Sequence, residues 1–384
     1  MENELINIDY YYKRGFFRGT SSRYNHINTL YTDAGEIVEG EVFKKKGEYY
    51  CRNINKIVKS SDYRETPPCR YYLNCGGCVF QHLSYERELE LKKNYAEKFL
   101  KRPPQELIPS PKIYNYRNKL EFDINNGVIG MHPRLSHRVI QIKNCYLMNE
   151  KINSRLEALF SEIEDDFYGE VRIASHDEGV VCRLYPKYQT KDIDFENLDY
   201  GVKTFNGIDY YISTDTFFQA NDFIIPLWLE KIKELVKKYR GREKKLIDLF
   251  AGIGTISLYL HDLFEEIKAV ENNPLSINLA HESMKNNNIK NIKYKKIDIY
   301  NQKINEIKGN FLIVNPPRSG LNKKNISFIK EKKFNKIVYS SCNINSFSDN
   351  IKKMDNYELK EYFVFDMFPR TPHFEIVGVL IRKE

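Results

Sequence analysis

Several groups of residues in this 384-residue chain have types and spacings suited to chemistry. Cys69 and the run Cys75-Gly-Gly-Cys78 crowd three thiols around a glycine turn, and Cys145 lies further along. Seven cysteines in a chain of this length, four of them so placed, read as metal ligation in a reducing compartment rather than as a disulfide framework. Zinc sites usually come as paired C-x-x-C knuckles, so one cysteine five residues from a pair and a distant fourth favour an iron-sulfur cluster. A second group is Asp248-Leu-Phe-Ala-Gly252-Ile-Gly254, where glycines at a strand-to-helix turn let backbone approach a ligand. Glu271, ending the next apolar run, can accept hydrogen bonds from ribose hydroxyls. A dinucleotide, S-adenosylmethionine and a purely structural turn compete for this turn. The full G-x-G-x-x-G is missing, since Ser257 follows, and the Asp-Leu-Phe prefix favours S-adenosylmethionine. The third group is Asn315-Pro-Pro-Arg318 and Tyr339-Ser-Ser-Cys342-Asn343, both following short apolar runs. A thiol at the edge where α/β proteins bind ligands is a candidate nucleophile.

These groups need elements to carry them. Residues 1–66 read as short alternating segments, a small β-barrel. Pro67-Pro68 opens the cysteine segment of a central, strand-rich region, 67–224. Within it, 84–102 reads as a helix that Ser84 can cap and Pro103-Pro104 ends. Trp228, Leu229, Ile232, Leu235, Val236 and Tyr239 recur at helical steps, and Gly241 can close that helix. From 225 to 384, apolar strands at 246–250, 267–271, 311–315 and 336–340 alternate with helical stretches, giving a doubly wound α/β domain. The last two strands, 362–366 and 374–381, lie too close for a helical crossover and should pair antiparallel.

Composition fits an enzyme that handles a polyanion. The net charge is +8, and the many tyrosines and phenylalanines could stack bases. The opening MENELINIDYYYKR has no apolar h-region, and no run approaches the roughly 18 apolar residues of a membrane span. We expect a cytoplasmic protein, no membrane contact and no obligate protein partner.

Taken in order, these motifs resemble those of the RNA uracil-5-methyltransferases, in particular the type with a TRAM domain and an iron-sulfur cluster that methylates 23S ribosomal RNA. The resemblance also rests on Phe80-Gln81-His82, Tyr116-Arg-Asn-Lys119, Phe217-Phe-Gln219-Ala-Asn221 and Phe368-Pro-Arg-Thr-Pro-His-Phe-Glu375. It implies a Rossmann-like class I methyltransferase domain behind an OB/TRAM-like barrel and a central α+β iron-sulfur domain. It implies a [4Fe-4S] cluster on Cys69, Cys75, Cys78 and Cys145. It places S-adenosylmethionine against Gln219, Phe250, Gly252, Glu271, Asp298 and Asn315, with Cys342 as nucleophile and Glu375 as base. It also suggests that helix 84–102 packs on the methyltransferase domain, and it makes RNA the partner, ribosomal first and the T-loop of transfer RNA second.

The chemistry is consistent with those roles. Carbon 5 of uracil is too weak a nucleophile to take a methyl group unaided, and a thiolate adding at carbon 6 builds enolate density there. A base must then remove the carbon-5 proton, and a carboxylate in a dry pocket has a raised pKa suited to this near neutrality. A uridine in structured RNA must leave its stack to reach such a site. Three departures from the family pattern stand out. Asn315 replaces the usual Asp, Ile344 replaces the proline after Ser-Cys-Asn and should loosen the loop behind the nucleophile, and the Tyr- and Arg-rich first half of the barrel region matches poorly. Asn315-Pro-Pro-Arg318 alone would suit methylation of exocyclic amines, which needs no thiol. A degenerate paralogue that binds RNA without catalysis is the other alternative.

Overall fold

The computed structural model describes residues 2–134, 136–187, 199–301 and 309–384. At the start of the chain, a period of two folds five strands into a closed barrel: β1 (Glu2–Lys13), β2 (Phe16–Thr20), β3 (Ile27–Thr29), β4 (Ile37–Lys45) and β5 (Glu48–Lys59). Their order is β1-β2-β3-β5-β4, and β4 pairs back on β1, so the sheet has no free edge. The first half, which the sequence pattern left unclear, supplies β1 and β2. Glu4, Ile6 and Ile8 alternate inward there while Leu5 and Tyr10 face out.

Helix α1 (Tyr85–Leu100) begins at Ser84, whose Oγ accepts the amide of Arg87 at 3.3 Å. It stops at Lys101, with φ +58, just ahead of the paired prolines. Its buried face includes Glu88 and Lys92, which no hydrophobic pattern would select. After α1, a short strand β6 (Glu106–Ile108) leads into the central region. Strands β7 (Lys119–Asn125), β8 (Val128–Met131) and β9 (Ile140–Gln141), helix α2 (Glu150–Glu162), and strands β10 (Gly169–Ser175) and β11 (Val180–Pro186) form an antiparallel sheet, order β11-β10-β7-β8-β9. α2 buries Ile152, Leu156 and Leu159 against it. The hairpin β12 (Gly201–Phe205) and β13 (Ile208–Ile212) packs instead into the core of the C-terminal sheet through Phe205, Tyr210 and Ile212.

That sheet is built from α3 (Ile225–Tyr239), β14 (Lys245–Leu249), α4 (Thr255–Tyr259), β15 (Glu266–Glu271), α5 (Pro274–Asn286) and β16 (Ile292–Lys296). It continues with β17 (Phe311–Val314), α6 (Lys323–Lys332), β18 (Lys336–Ser341), α7 (Ile344–Lys353), β19 (Tyr357–Phe365) and β20 (Glu375–Arg382). The order is β16-β15-β14-β17-β18-β20-β19-β6, with β20 antiparallel to both neighbours. The last two strands thus pair as their spacing predicts. β16, Ile-Lys-Tyr-Lys-Lys, is too polar to have been read as a strand, and it sits at the sheet edge. β6 adds a parallel strand to β19 from a point in the chain before the central sheet. The strand order reverses between β14 and β17, which opens a crevice at their carboxyl ends.

Candidate active site

The glycine turn after β14 is held in backbone conformations that only certain residues adopt. Gly252 has φ +57 and a Cβ there would meet nothing within 4 Å, so it faces open space. Gly254 has φ +86, and its Cβ would come 2.6 Å from the hydroxyl of Tyr294. Phe250 also lies at positive φ, +63, an uncommon state for a bulky residue that the surrounding structure must enforce. Glu271, ending β15, fixes this turn: its Oε2 accepts the amide of Gly252 at 2.9 Å, and its Oε1 accepts those of Asn272 and Asn273, each at 2.8 Å. Each carboxylate oxygen offers about two acceptor positions, so Oε2 keeps one for a ligand hydroxyl.

A cavity of about 470 Å³ opens over this turn. Its wall brings together Gln219, Phe250, Gly252, Glu271, Asp298 and Asn315, all six residues expected to touch the cofactor, and also Cys342 and Glu375. Ser276 and Tyr300 line it as well, and no motif points to either. Tyr300 packs its ring on Phe250 at 5.3 Å between centroids. An open glycine face, a carboxylate with a spare acceptor position and an aromatic wall fit a nucleoside with a polar tail.

Cys342 follows β18 and Glu375 begins β20, neighbouring antiparallel strands. Burial pushes Glu375 up to about 8, opposed by the Ser340 hydroxyl and Arg318. Burial, then the charge of Glu375, pushes Cys342 up to about 11, opposed by Arg318. The resting site therefore holds a thiol beside a largely protonated carboxyl at neutral pH.

Ile344 does not loosen the loop as expected. It occupies the first position of α7, where proline's missing N–H would also be harmless, and its side chain is buried in the core. Asn343 caps the helix, its side chain accepting the amide of Asn345 at 3.1 Å and donating to the carbonyl of Arg318 at 2.8 Å. The loop is tied by side chains instead of by a ring.

Cys342 also lines a second cavity, of about 500 Å³. Here Arg14 of the barrel, Arg134 of the central region and Arg318 of the C-terminal domain converge with Tyr95 and His373, and no carboxylate is among the described residues lining it. Arg134 donates to the carbonyl of Arg14 at 2.9 Å. His373 reports the positive field: burial, then Arg318, Lys92, Arg134 and Arg117, hold it down to about 3, so it stays neutral. No motif pointed to Arg14 or Arg134, because their meeting depends on how three domains dock.

Cys69, Cys75, Cys78 and Cys145 line one further cavity, walled by Tyr71, Leu120, Met131, Ile142 and Met148. Among the described residues no three metal-ligating side chains stand close enough to grip a single ion. Gly76 is needed there, since a Cβ would lie 2.7 Å from the carbonyl of His132.

A parallel sheet with this strand order, closed by an antiparallel last pair over a nucleoside-shaped cavity, defines an S-adenosylmethionine-dependent methyltransferase. The profile of the tRNA (Uracil-5-)-methyltransferase family matches residues 189–384, and the chain belongs to that family. It is an enzyme that transfers methyl groups from S-adenosylmethionine to carbon 5 of uridine in RNA. The chain is 29% identical to an RNA methyltransferase of uncharacterised function from Aquifex aeolicus, covering 91% of this chain and 92% of that one. It is 27% identical to the tRNA (uracil(54)-C(5))-methyltransferase of Pyrococcus abyssi over 85% of this chain and 88% of that one. The corresponding enzyme of Pyrococcus furiosus is 27% identical over 94% and 96%. The fold is that of the crystal structure of the Pyrococcus abyssi tRNA (uracil-54, C5)-methyltransferase in complex with S-adenosyl-L-homocysteine: the TM-score is 0.80 at 23% identity, over 98% of this chain and 100% of that chain. Among the described residues no helix is long and apolar enough to cross a membrane.

Proposed function

We propose that this chain methylates carbon 5 of a flipped-out uridine in structured RNA through a covalent adduct on Cys342, with Glu375 as the base. The observation that carries the reading is that Cys342 lines two cavities, one suited to a nucleoside cofactor and one lined by three arginines. S-adenosylmethionine supplies an electrophilic methyl group on its sulfonium, and Gln219, Phe250, Gly252, Glu271, Asp298 and Asn315 are the groups we assign to hold it. Cys342 gives its proton to water and adds as the thiolate to carbon 6, which moves the π electrons of the C5–C6 bond toward carbon 5 for methylation. Glu375 then takes the carbon-5 proton; the C–H electrons restore the double bond while the C6–S bond breaks and Cys342 leaves as a thiolate. Asn315 adds no negative charge to a pocket that already holds Glu271, Asp298 and Glu375, where the usual Asp would add one.

Transfer RNA is the favoured substrate. Relatives that match most of this chain's length are named for uracil 54 of tRNA, and the family profile is itself named for tRNA. Ribosomal RNA, expected first from the motif set, retains only the four-cysteine resemblance in its support. The test offers an unmodified tRNA transcript and a 23S rRNA fragment with labelled S-adenosylmethionine, followed by mapping of 5-methyluridine. Label confined to the T-loop supports the favoured reading, and label confined to the rRNA fragment rejects it.

We assign the cysteine chamber to a [4Fe-4S] cluster held by Cys69, Cys75, Cys78 and Cys145, in a cytoplasmic enzyme. Methyl transfer moves no electrons, so the group's work there is to brace the central region. Protein purified without oxygen should be brown and carry about four irons per chain; stoichiometric zinc without iron would reject the assignment.

A further inference from the structure

Ser340 lies near the end of β18, fully buried, two residues before Cys342. Its hydroxyl donates to Oε1 of Glu375 at 2.6 Å. The same Oγ accepts the indole Nε1–H of Trp228 at 3.2 Å. Trp228 belongs to α3 and is wholly buried in the main core, so its indole has one orientation. An indole N–H only donates, and a hydroxyl carries a single proton. Among the described residues that proton has one acceptor, Oε1 of Glu375. If Oε1 carried a proton of its own, the serine proton would be left without an acceptor in a buried site, which is unfavourable. Oε2 has no hydrogen bond among the described residues, and Glu375 shares a cavity wall with Cys342.

We propose that Ser340, aimed by Trp228, is a positioning residue that reserves Oε1 of Glu375 as an acceptor and so makes Oε2 the atom that takes the carbon-5 proton. This rests on the reading of Glu375 as the base. In the elimination step the carbon-5 C–H bond breaks, its proton goes to Oε2, its electrons re-form the C5–C6 double bond, and the C6–S bond breaks to release the Cys342 thiolate. The proton on Oε2 passes to water once the product has left. Throughout, the serine hydroxyl favours the carboxylate form against the surrounding apolar core.

The test uses the full-length enzyme, unmodified tRNA transcript and labelled S-adenosylmethionine, with Ser340→Ala, Ser340→Thr and Trp228→Phe beside Glu375→Gln. Losing a hydrogen bond to a charged group should lower kcat of Ser340→Ala about tenfold at neutral pH with little change in KM. Its acid limb should move to higher pH, and a protein–RNA adduct stable to denaturant should accumulate. Ser340→Thr should restore the wild-type profile, and Trp228→Phe should shift it in the same direction as Ser340→Ala. Trp228→Phe keeps an aromatic ring in the core, so it carries the test should Ser340→Ala not fold. An adduct in Glu375→Gln, with a wild-type pH profile and no adduct in Ser340→Ala and Trp228→Phe, would overturn the inference alone. Full turnover in Glu375→Gln would overturn the base reading, and the inference with it.

Discussion

At the residue scale the site is poised by burial more than by charge. Among the described residues, Arg318 is the one cation that opposes burial at both Cys342 and Glu375. In the proposed mechanism both groups react in their deprotonated forms, and both are pushed above their ordinary values, so activity should rise with pH. kcat/KM reports the free enzyme and should climb through about pH 8, the position of Glu375, and still be climbing as the Cys342 thiol begins to ionise. A profile that is flat from pH 6 to 9 would contradict this. The same shift has a stability consequence of fixed sign. A carboxyl whose folded pKa is raised from 4.5 to about 8 holds its proton where the unfolded chain has lost it. It therefore stabilises the fold at low pH, and that contribution declines between about pH 4.5 and 8. Glu375→Gln should flatten this part of the Tm–pH curve relative to wild type, as differential scanning fluorimetry across pH would read.

At the element scale, the loop between β19 and β20 delivers Glu375, and α1 grips that loop. Lys92 donates to Glu88 at 2.6 Å and to Asp366 at 2.5 Å, both buried, and to the carbonyl of Phe368 at 3.2 Å. The amide of Arg370 donates to Glu88 at 2.7 Å, and the Arg370 guanidinium caps the carbonyl of Leu83 at 2.8 Å. From the other side, the amides of Val79 and Phe80, just past Cys78, donate to the carbonyl of Arg370 at 2.9 and 3.2 Å. The cysteine segment and the loop carrying Glu375 are thus stitched together by backbone. Removing one partner from such a buried network leaves charges unpaired, so Lys92→Ala should cost about 3–5 kcal/mol of stability in chemical denaturation. A loss below about 1 kcal/mol would mean that water reaches the cluster and screens it.

This network also marks where the sequence stopped being readable. Periods of two and of three to four locate the barrel, α3 and most of the C-terminal sheet, because their buried faces are apolar and regular, whereas α1 is marked by its Ser84 cap and the prolines that end it. β16 was missed because an edge strand can be lysine-rich. Nothing local marks Glu88 and Lys92 as interior; only the arrival of Asp366 and Arg370, more than 270 residues later, makes them so. Phe250, Gly252, Glu271, Asn315 and Cys342 are legible because each ends or follows an apolar run, and Gln219 and Asp298 only through the family resemblance; Ser340, Trp228, Arg14 and Arg134 are not, because nothing local distinguishes them as site residues.

At the scale of the whole molecule, the barrel, the central sheet and the C-terminal domain each place one arginine at the cleft beside Cys342. Such a cleft can hold phosphates around a single displaced nucleotide, and it exists only while all three domains are docked. Arg14→Ala and Arg134→Ala should raise KM for RNA and reduce the slope of log affinity against log salt by about 0.7–0.9 each, one lost phosphate contact. Affinity for S-adenosylmethionine, measured by calorimetry, should stay at the wild-type value. Unchanged salt dependence in both variants would move the RNA path elsewhere.

The central claim is the bond between Cys342 and carbon 6 of the uridine. Glu375→Gln incubated with unmodified tRNA transcript and S-adenosylmethionine, digested with protease and nuclease and analysed by mass spectrometry, tests it directly. A methylated uridine nucleotide attached to the peptide bearing Cys342 is the result expected, with none in the Cys342→Ala, Glu375→Gln double variant. Full methylation by Cys342→Ala, or an adduct on another residue, would contradict the account.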